Sequence, residues 1–485
     1  MRVLLVYSNQ ARDLLPAPPI GLAYVASATR EAGHEVRFLD LLRSRRPTEE
    51  VRAAVRAFRP EVVGVSVRNI DNVVRQRLRW HLDALAELIA AVREESSAAI
   101  VLGGPAISIL GKAALERLAA DFAVLGEGEA TFPRLLAAMA TTRRYDDIPG
   151  LCYRNGAGIA GTPPVPLARF GASGMEAWAD WPAYERKGGT WAIQTKRGCP
   201  LHCSYCAYPA IEGRGCRRRP AAEVVDEIEH VKRTVGPRTF EFVDSTFNVP
   251  PEHAEQLCRE IIRRGLRVNL TAMGVNPLGA SARLFGLMRE AGFNSMMVTP
   301  ESASDTMLRS LRKGFTADDV HRTAHLVHES GIRSTWFFLL GGPGETRDTV
   351  EESVSFVEQH LDRRRCVVIF MTGVRILPGT DLARHAVRDG SLASDRDLAE
   401  PVFYFSPEVP EDWILARINR AIGRCPGIVH AAEEGGSAFE RLVDRALYRL
   451  GVAPPYWRFL SEILRVPPLP ALRRRYPPVR AARRA

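Results

Sequence analysis

Gly198-Cys199-Pro200-Leu201-His202-Cys203-Ser204-Tyr205-Cys206 sets three cysteines at intervals of four and three. Thiolates so close together can converge on one metal centre, because a few residues of irregular backbone let all three sulfurs point inward. Three ligands do not close a four-iron cluster. One iron stays open to a substrate or cofactor, which is the logic of a catalytic site. Zinc would want a fourth protein ligand, which His202 or Cys216 could supply. A redox pair at Cys203 and Cys206 has no need of Cys199. Three structural thiols on one loop are the remaining alternative, and the rest of the chain bears on the choice.

The chain has 485 residues, a length that suggests about three domains. Its 46% hydrophobic and 25% charged content is that of a soluble globular protein. Met1 to Tyr7 reads as a β-strand, not a signal peptide, and no apolar run approaches the ~20 residues of a membrane helix. Eight cysteines, three of them clustered, are not a disulfide framework, so a cytoplasmic location fits. Cys152, Cys216, Cys258, Cys366 and Cys425 show no spacing for a second cluster and read as small buried hydrophobes or free thiols. The formal net charge is +10, yet Arg473, Arg474, Arg475, Arg480, Arg483 and Arg484 lie in the last thirteen residues. Residues 471–485 therefore read as a solvated, disordered basic tail, with no nucleic-acid partner expected.

Residues 1–140 alternate strand-like and helix-like runs: Val3 to Tyr7, Val36 to Leu39, Val62 to Val67, Ile100 to Leu102 and Phe122 to Leu125, with helices such as Gly21 to Glu31, Thr48 to Phe58 and Gln76 to Glu94. Such alternation predicts a doubly wound parallel sheet with ligands at the carboxyl ends of its strands. At those ends lie Pro18-Pro19-Ile20-Gly21, Ser66-Val67-Arg68-Asn69-Ile70-Asp71, Gly103-Gly104-Pro105 and Gly126-Glu127-Gly128-Glu129. None is the G-x-G-x-x-G of a dinucleotide site. Residues 141–189, with Pro149-Gly150, Asn155-Gly156 and Pro163-Pro164, read as a connector holding a short hairpin.

Over 190–390 the alternation resumes with six strand-like runs: Trp191 to Thr195, Phe240 to Val243, Asn269 to Met273, Ser295 to Val298, Thr335 to Leu340 and Val367 to Met371. Polar or glycine-rich turns follow them: Asp244-Ser245-Thr246-Phe247, Glu301-Ser302-Ala303-Ser304, Gly341-Gly342-Pro343-Gly344-Glu345-Thr346 and Arg375-Ile376-Leu377-Pro378. Residues 391–470 read as mainly helical, with a capping-box spacing at Ser437 and Glu440. The aromatics of Tyr456-Trp457-Arg458-Phe459 beside the basic tail suggest weak peripheral contact with a membrane surface.

The C-x3-C-x2-C spacing, with Tyr205 before its last cysteine, resembles the signature of the radical S-adenosylmethionine (SAM) superfamily. The four strand-end motifs before it resemble the cobalamin-binding domain of one large class of those enzymes, the class of the cobalamin-dependent methyltransferases. The resemblance implies an α/β architecture: a Rossmann-like cobalamin domain, a partial (β/α)6 barrel and a helical C-terminal region that contributes to substrate choice. It implies a 4Fe-4S cluster on Cys199, Cys203 and Cys206. It implies SAM among Tyr205, Asp244, Ser245, Glu301, Ser302, Gly341 and Ile376, with Leu308 and Lys313-Gly314 extending the motif at Glu301. Cobalamin would lie among Ile20, Gly21, Ser66, Arg68, Asn69, Asp71, Gly103, Gly104, Pro105, Gly126, Glu127, Gly128 and Glu129.

Two departures stand out. The D-x-H-x-x-G motif that supplies a lower histidine to cobalt is absent from the first 150 residues, where His34 has no aspartate two before it. The loop with Arg68, Asn69 and Asp71 would then cover that face. Position 300 is proline where glycine is usual. The implied activity is transfer of a methyl group from methylcobalamin to an unactivated carbon of a small-molecule or natural-product substrate, hydrophobic ones among them, after a deoxyadenosyl radical removes hydrogen. An external donor such as a flavodoxin or ferredoxin would supply electrons. Cyclisation or rearrangement with the same cofactors is the nearest alternative, and a non-catalytic cobalamin sensor a more distant one. A tRNA methylthiotransferase would want a second cysteine triad, and residues 1–150 contain no cysteine.

Overall fold

The computed structural model describes residues 1–10, 16–156, 158–394, 398–432 and 438–466. The arginine tail and the capping-box residue Ser437 lie outside them. The first strand, β1 (Arg2–Tyr7), is buried from Val3 to Tyr7, as suits an apolar strand covered on both faces. With β2 (Glu35–Asp40), β3 (Val62–Ser66), β4 (Ala99–Gly103) and β5 (Phe122–Val124) it forms a parallel sheet in the order β2-β1-β3-β4-β5. The order reverses between β1 and β3, so their carboxyl ends open the crevice in which such sheets hold ligands. The connector extends this sheet: β6 (Leu151–Asn155) and β7 (Gly158–Gly161) form a hairpin that adds antiparallel to β5.

The helix foreseen from Gln76 starts later, at Leu82. Residues 67–81 instead form an arm across to the second half of the chain. There Asp71 meets Arg375 at 2.8 Å with both side chains under 5% exposed, and Arg75 meets Glu411 at 3.1 Å.

The second sheet is wholly parallel: β8 (Trp191–Ile193), β9 (Phe240–Phe242), β10 (Leu270–Val275), β11 (Phe293–Glu301), β12 (Arg333–Leu340) and β13 (Cys366–Thr372) lie in sequence order. A seventh strand, β14 (Ile428–His430), pairs beside β13, so the region after residue 391 is not helical throughout. Three residues are too few for periodicity to reveal; pairing with β13 makes this strand. Among the described residues β8 and β14 are edges, and the barrel is open between them.

Segment 454–465 closes the amino-terminal end of this barrel. Thr239 Oγ1 donates to the Pro454 carbonyl, the Arg365 N–H donates to Ser461 Oγ at 3.0 Å, and Arg333 pairs with Glu462 at 3.1 Å. Tyr456 and Arg458 are buried and Trp457 is half-buried. Tyr456 to Phe459 therefore form a floor under the barrel, correcting the reading of these aromatics as a membrane-facing surface. No helix of the described residues is long and apolar enough to cross a membrane. Cys152, Cys258, Cys366 and Cys425 are buried free thiols, and Cys216 is a half-buried one.

Candidate functional site

The loop after β8 turns at Gly198, whose φ is +85°. A Cβ there would stand 2.1 Å from the Gly215 carbonyl oxygen, so only glycine fits. The loop is pinned by backbone bonds: Cys199 N–H to Gly213 O at 3.2 Å, Ser204 N–H to Leu311 O at 3.0 Å and Leu382 N–H to Ser204 O at 2.8 Å. Glu212 accepts from the Gly198 N–H at 3.1 Å. Cys199 is buried, while Cys203 and Cys206 are half-buried. Burial raises the Cys203 and Cys206 thiols, Cys206 to about 11, and each is raised further by its neighbouring cysteines. Three cysteines within eight positions of one pinned loop are the donor set a thiolate-ligated iron-sulfur cluster needs. Among the described residues no three His, Cys, Asp or Glu side chains already stand at metal-binding separation.

Beside the loop, Tyr205 Oη donates to Glu301 Oε1 at 3.1 Å. Lys313 Nζ lies 3.3 Å from Tyr205 Oη and 3.6 Å from Glu301. Lys313 is 3% exposed and acts on the Cys203 thiol, lowering it. It is the cation beside the cysteines that the sequence reading assigned no role. Its place on the Lys313-Gly314 turn after Glu301 was the available signal.

Other proposed SAM contacts are committed elsewhere. Asp244 accepts from Thr195 N–H at 2.7 Å, from Thr195 Oγ1 at 2.6 Å and from Lys196 N–H at 3.2 Å. Its carboxylate thus ties β8 to β9 and does not face the loop as a free acceptor. Ser302, fully buried, bonds Ser353 Oγ at 2.9 Å, because the turn after β11 packs on the helix Arg347–Phe356. The Ile376 N–H donates to Val402 O at 2.9 Å, so it offers no unpaired backbone donor for an adenine. Ser245 Oγ donates to Gly198 O at 3.3 Å and braces the cysteine loop. Gly341 has φ +94°, and a Cβ would press on the Phe405 ring at 3.0 Å.

The Gly341 N–H donates to Glu345 Oε2 at 3.1 Å, and Thr349 Oγ1 donates to Oε1 at 2.6 Å. Burial pushes the Glu345 carboxyl up from 4.5 to about 7 despite these bonds. Below its ordinary value this group's contribution to stability is complete. It is lost as pH rises towards about 7, because the unfolded chain has then released a proton the folded one still holds. The expected loss is on the order of 3 kcal/mol across that window. Denaturant unfolding at several pH values should show this slope in the wild type and its absence in Glu345→Gln.

Between the carboxyl ends of the first sheet and the open barrel lies one cavity of about 1570 Å³, larger than the ~300–1,000 Å³ of ordinary ligand pockets. Ile20, Gly21, Ser66, Arg68, Gly103, Gly104, Pro105 and Gly126 to Glu129 line it. Asn69 and Asp71 do not: Asn69 bonds its neighbour Arg68, and Asp71 belongs to the arm that grips Arg375. Glu127 and Glu129 are also recast. Arg197, 5% exposed, lies 3.2 Å from Glu127 and bonds Glu129. It stacks over Tyr24 and Phe170 at 4.6 and 4.2 Å. Arg217 pairs with Glu127 as well. The two carboxylates are thus a clamp on the residue preceding Gly198 and are not open to a cobalamin side chain. Sequence reasoning missed Arg197 because its partners lie 70 and 68 positions away.

A cobalamin fits the remainder. Gly64, in the middle of β3, leaves an apolar slot in the cavity wall with Leu5, Val101, Val124 and Phe132. A Cβ at Gly64 would meet Leu5 Cδ2 at 2.6 Å. Such a slot suits a planar aromatic base. No histidine of the described residues lines the cavity.

Comparison with known proteins follows the same division. Residues 193–357 match the Radical SAM superfamily, and residues 12–136 match the B12 binding domain. A tryptophan 2-C-methyltransferase of Streptomyces laurentii is 29% identical over 79% of this chain and 74% of its own. An uncharacterized methyltransferase of Pyrococcus horikoshii is 26% identical over 77% of this chain and 80% of its own. The radical SAM methyltransferase TsrM of Kitasatospora setae, solved with tryptophan substrate and a SAM analogue, superposes with a TM-score of 0.83. It is 26% identical, and the match covers 96% of this chain and 99% of that one.

Proposed function

We infer that this chain, a radical SAM enzyme that also carries a B12-binding domain, methylates an unactivated carbon of a small-molecule substrate. The single cavity carries the reading. The sheet edge suited to cobalamin and the barrel lumen open into one space, so a substrate in the lumen lies against the cobalamin edge. The cofactors supply radical initiation and the methyl group; the protein holds them, orients the substrate and excludes water. Cys199, Cys203 and Cys206 hold the cluster. Tyr205, Glu301 and Lys313 form the polar wall beside it, where Lys313 can neutralise a carboxylate and Glu301 can accept from an ammonium or hydroxyl. Outside the loop, Arg214, Arg312 and Arg384 surround Asp381, a net positive surface that suits an acidic flavodoxin or ferredoxin as electron donor.

The test is product mass after anaerobic reduction with SAM. A product one CH2 heavier than its substrate supports methylation. An unchanged carbon count would favour cyclisation instead.

Arg68 lines the cavity and meets no acid at ion-pair distance among the described residues; its Nη1 bonds the Asn69 amide oxygen at 3.2 Å. A guanidinium has no lone pair to give a metal. Bound cobalamin should therefore be base-off without a protein imidazole, and cob(II)alamin resonance should lack histidine nitrogen coupling. Arg68→Ala should alter that spectrum while leaving iron content unchanged. Histidine coupling, or an identical spectrum in the variant, would exclude this arrangement.

A further inference from the structure

The interior of a closed barrel is filled mainly by branched apolar side chains, yet the lower half of this lumen is polar. Thr190, Glu241 and Thr335 reach the cavity from the residue before β8, from β9 and from β12 respectively. On the strands between, the fully buried Thr271 and Ser295 bond each other at 3.0 Å. Glu241 is 8% exposed. Its Oε2 accepts from Thr190 Oγ1 at 2.5 Å, and the residue lines the cavity. Two buried polar atoms beside it, Thr335 Oγ1 and Trp457 Nε1, have no hydrogen-bond partner, and both residues line the same cavity. Higher in the lumen the wall is apolar, with Val243, Met273, Met297, Phe337 and Ile369.

A buried polar atom without a partner costs about 1–3 kcal/mol, so unpaired atoms on residues that line one cavity point to a ligand that pairs them. Burial raises the Glu241 carboxyl, opposed by the Thr190 hydrogen bond and by Arg68 across the cavity. A carboxylate so placed repels anions and gains most from a cation brought against it, because the low dielectric that penalises it alone strengthens the pair.

We propose that this floor is the recognition end of the substrate pocket and binds a protonated amine, with Glu241 as counter-ion and Thr335 as a second acceptor. The amine is carried on an apolar body that lies against Met273, Met297 and Phe337. Trp457 Nε1 donates to an acceptor beside the amine. The proposal rests on the reading of the cavity as the substrate pocket of a methyltransferase.

Two probes that differ only in this group test it on the holoenzyme: 2-phenylethylamine and 2-phenylethanol, titrated calorimetrically. The wild type should bind the amine at least about tenfold more tightly. Glu241→Gln should abolish the preference. Glu241→Asp, which keeps the charge one methylene back, should retain a reduced one and decides the matter should the glutamine variant not fold. Equal or tighter binding of the alcohol, binding of neither probe, or a preference unchanged in the variants would overturn the proposal. Wild-type protein that methylates cobalamin from SAM but shows no amine preference would leave the proposed function standing and remove only this inference. Protein that fails to methylate cobalamin would count against the function itself.

Discussion

Replacing Cys199, Cys203 and Cys206 together by alanine should abolish iron binding, from about four irons per reconstituted chain to almost none. The loop is fixed by its neighbours through the Gly198 turn and the backbone bonds of Cys199 and Ser204, so the variant should keep its fold and its cobalamin. Iron analysis, visible absorption and circular dichroism read these separately. Equal iron in the variant would refute the assignment. Zinc in place of iron, with His202 or Cys216 required, would favour the tetrahedral alternative.

The second large effect is expected at Arg197. Its guanidinium is 95% withdrawn from solvent, faces two carboxylates and sits over two rings. Arg197→Met leaves Glu127 and Glu129 close together, with Arg217 beside Glu127 as the cation the structure retains. Removing one partner from a buried ionic group costs about 3–5 kcal/mol. The first thermal transition should fall accordingly, and cobalamin and cluster should be lost together, because this residue links the cobalamin sheet to the cysteine loop. Adding Glu129→Gln should restore part of the loss by removing the stranded charge. A single variant as stable as the wild type would show that the clamp contributes nothing.

The two residues illustrate which parts of the site can be read from a chain. The cysteine loop is local: three ligands within eight positions and one required glycine announce themselves in sequence. The strands of both sheets are legible for the same reason, since apolar runs such as Val62 to Val65 or Thr335 to Leu340 carry their own signal. Long-range partners are different. The sequence suggested that Glu127 and Glu129 face a ligand, but cannot show that Arg197 occupies them. Asp71 likewise stands in a motif at a strand end, yet is drawn away to Arg375. Asp244 and Ser302 sit at the expected strand ends, but hydrogen bonds to Thr195 and Ser353 consume them. The strand Ile428–His430 and the floor at Tyr456 to Phe459 depend on the barrel they complete, and have no independent pattern. Glu241 is hidden because the alternation in Phe240-Glu241-Phe242 sets the acid on the face opposite its aromatic neighbours, and the sequence does not say that this face lines the lumen.

Methyl transfer from SAM to cobalamin within this protein tests the account most directly, because it requires both cofactors bound within reach of one another and needs no knowledge of the substrate. Holoenzyme carrying cob(I)alamin, mixed anaerobically with SAM labelled as CD3, should form stoichiometric methylcobalamin bearing the CD3 group, seen by absorption and mass. Unlabelled methylcobalamin, or cobalamin that stays unmethylated while SAM remains bound, would contradict it.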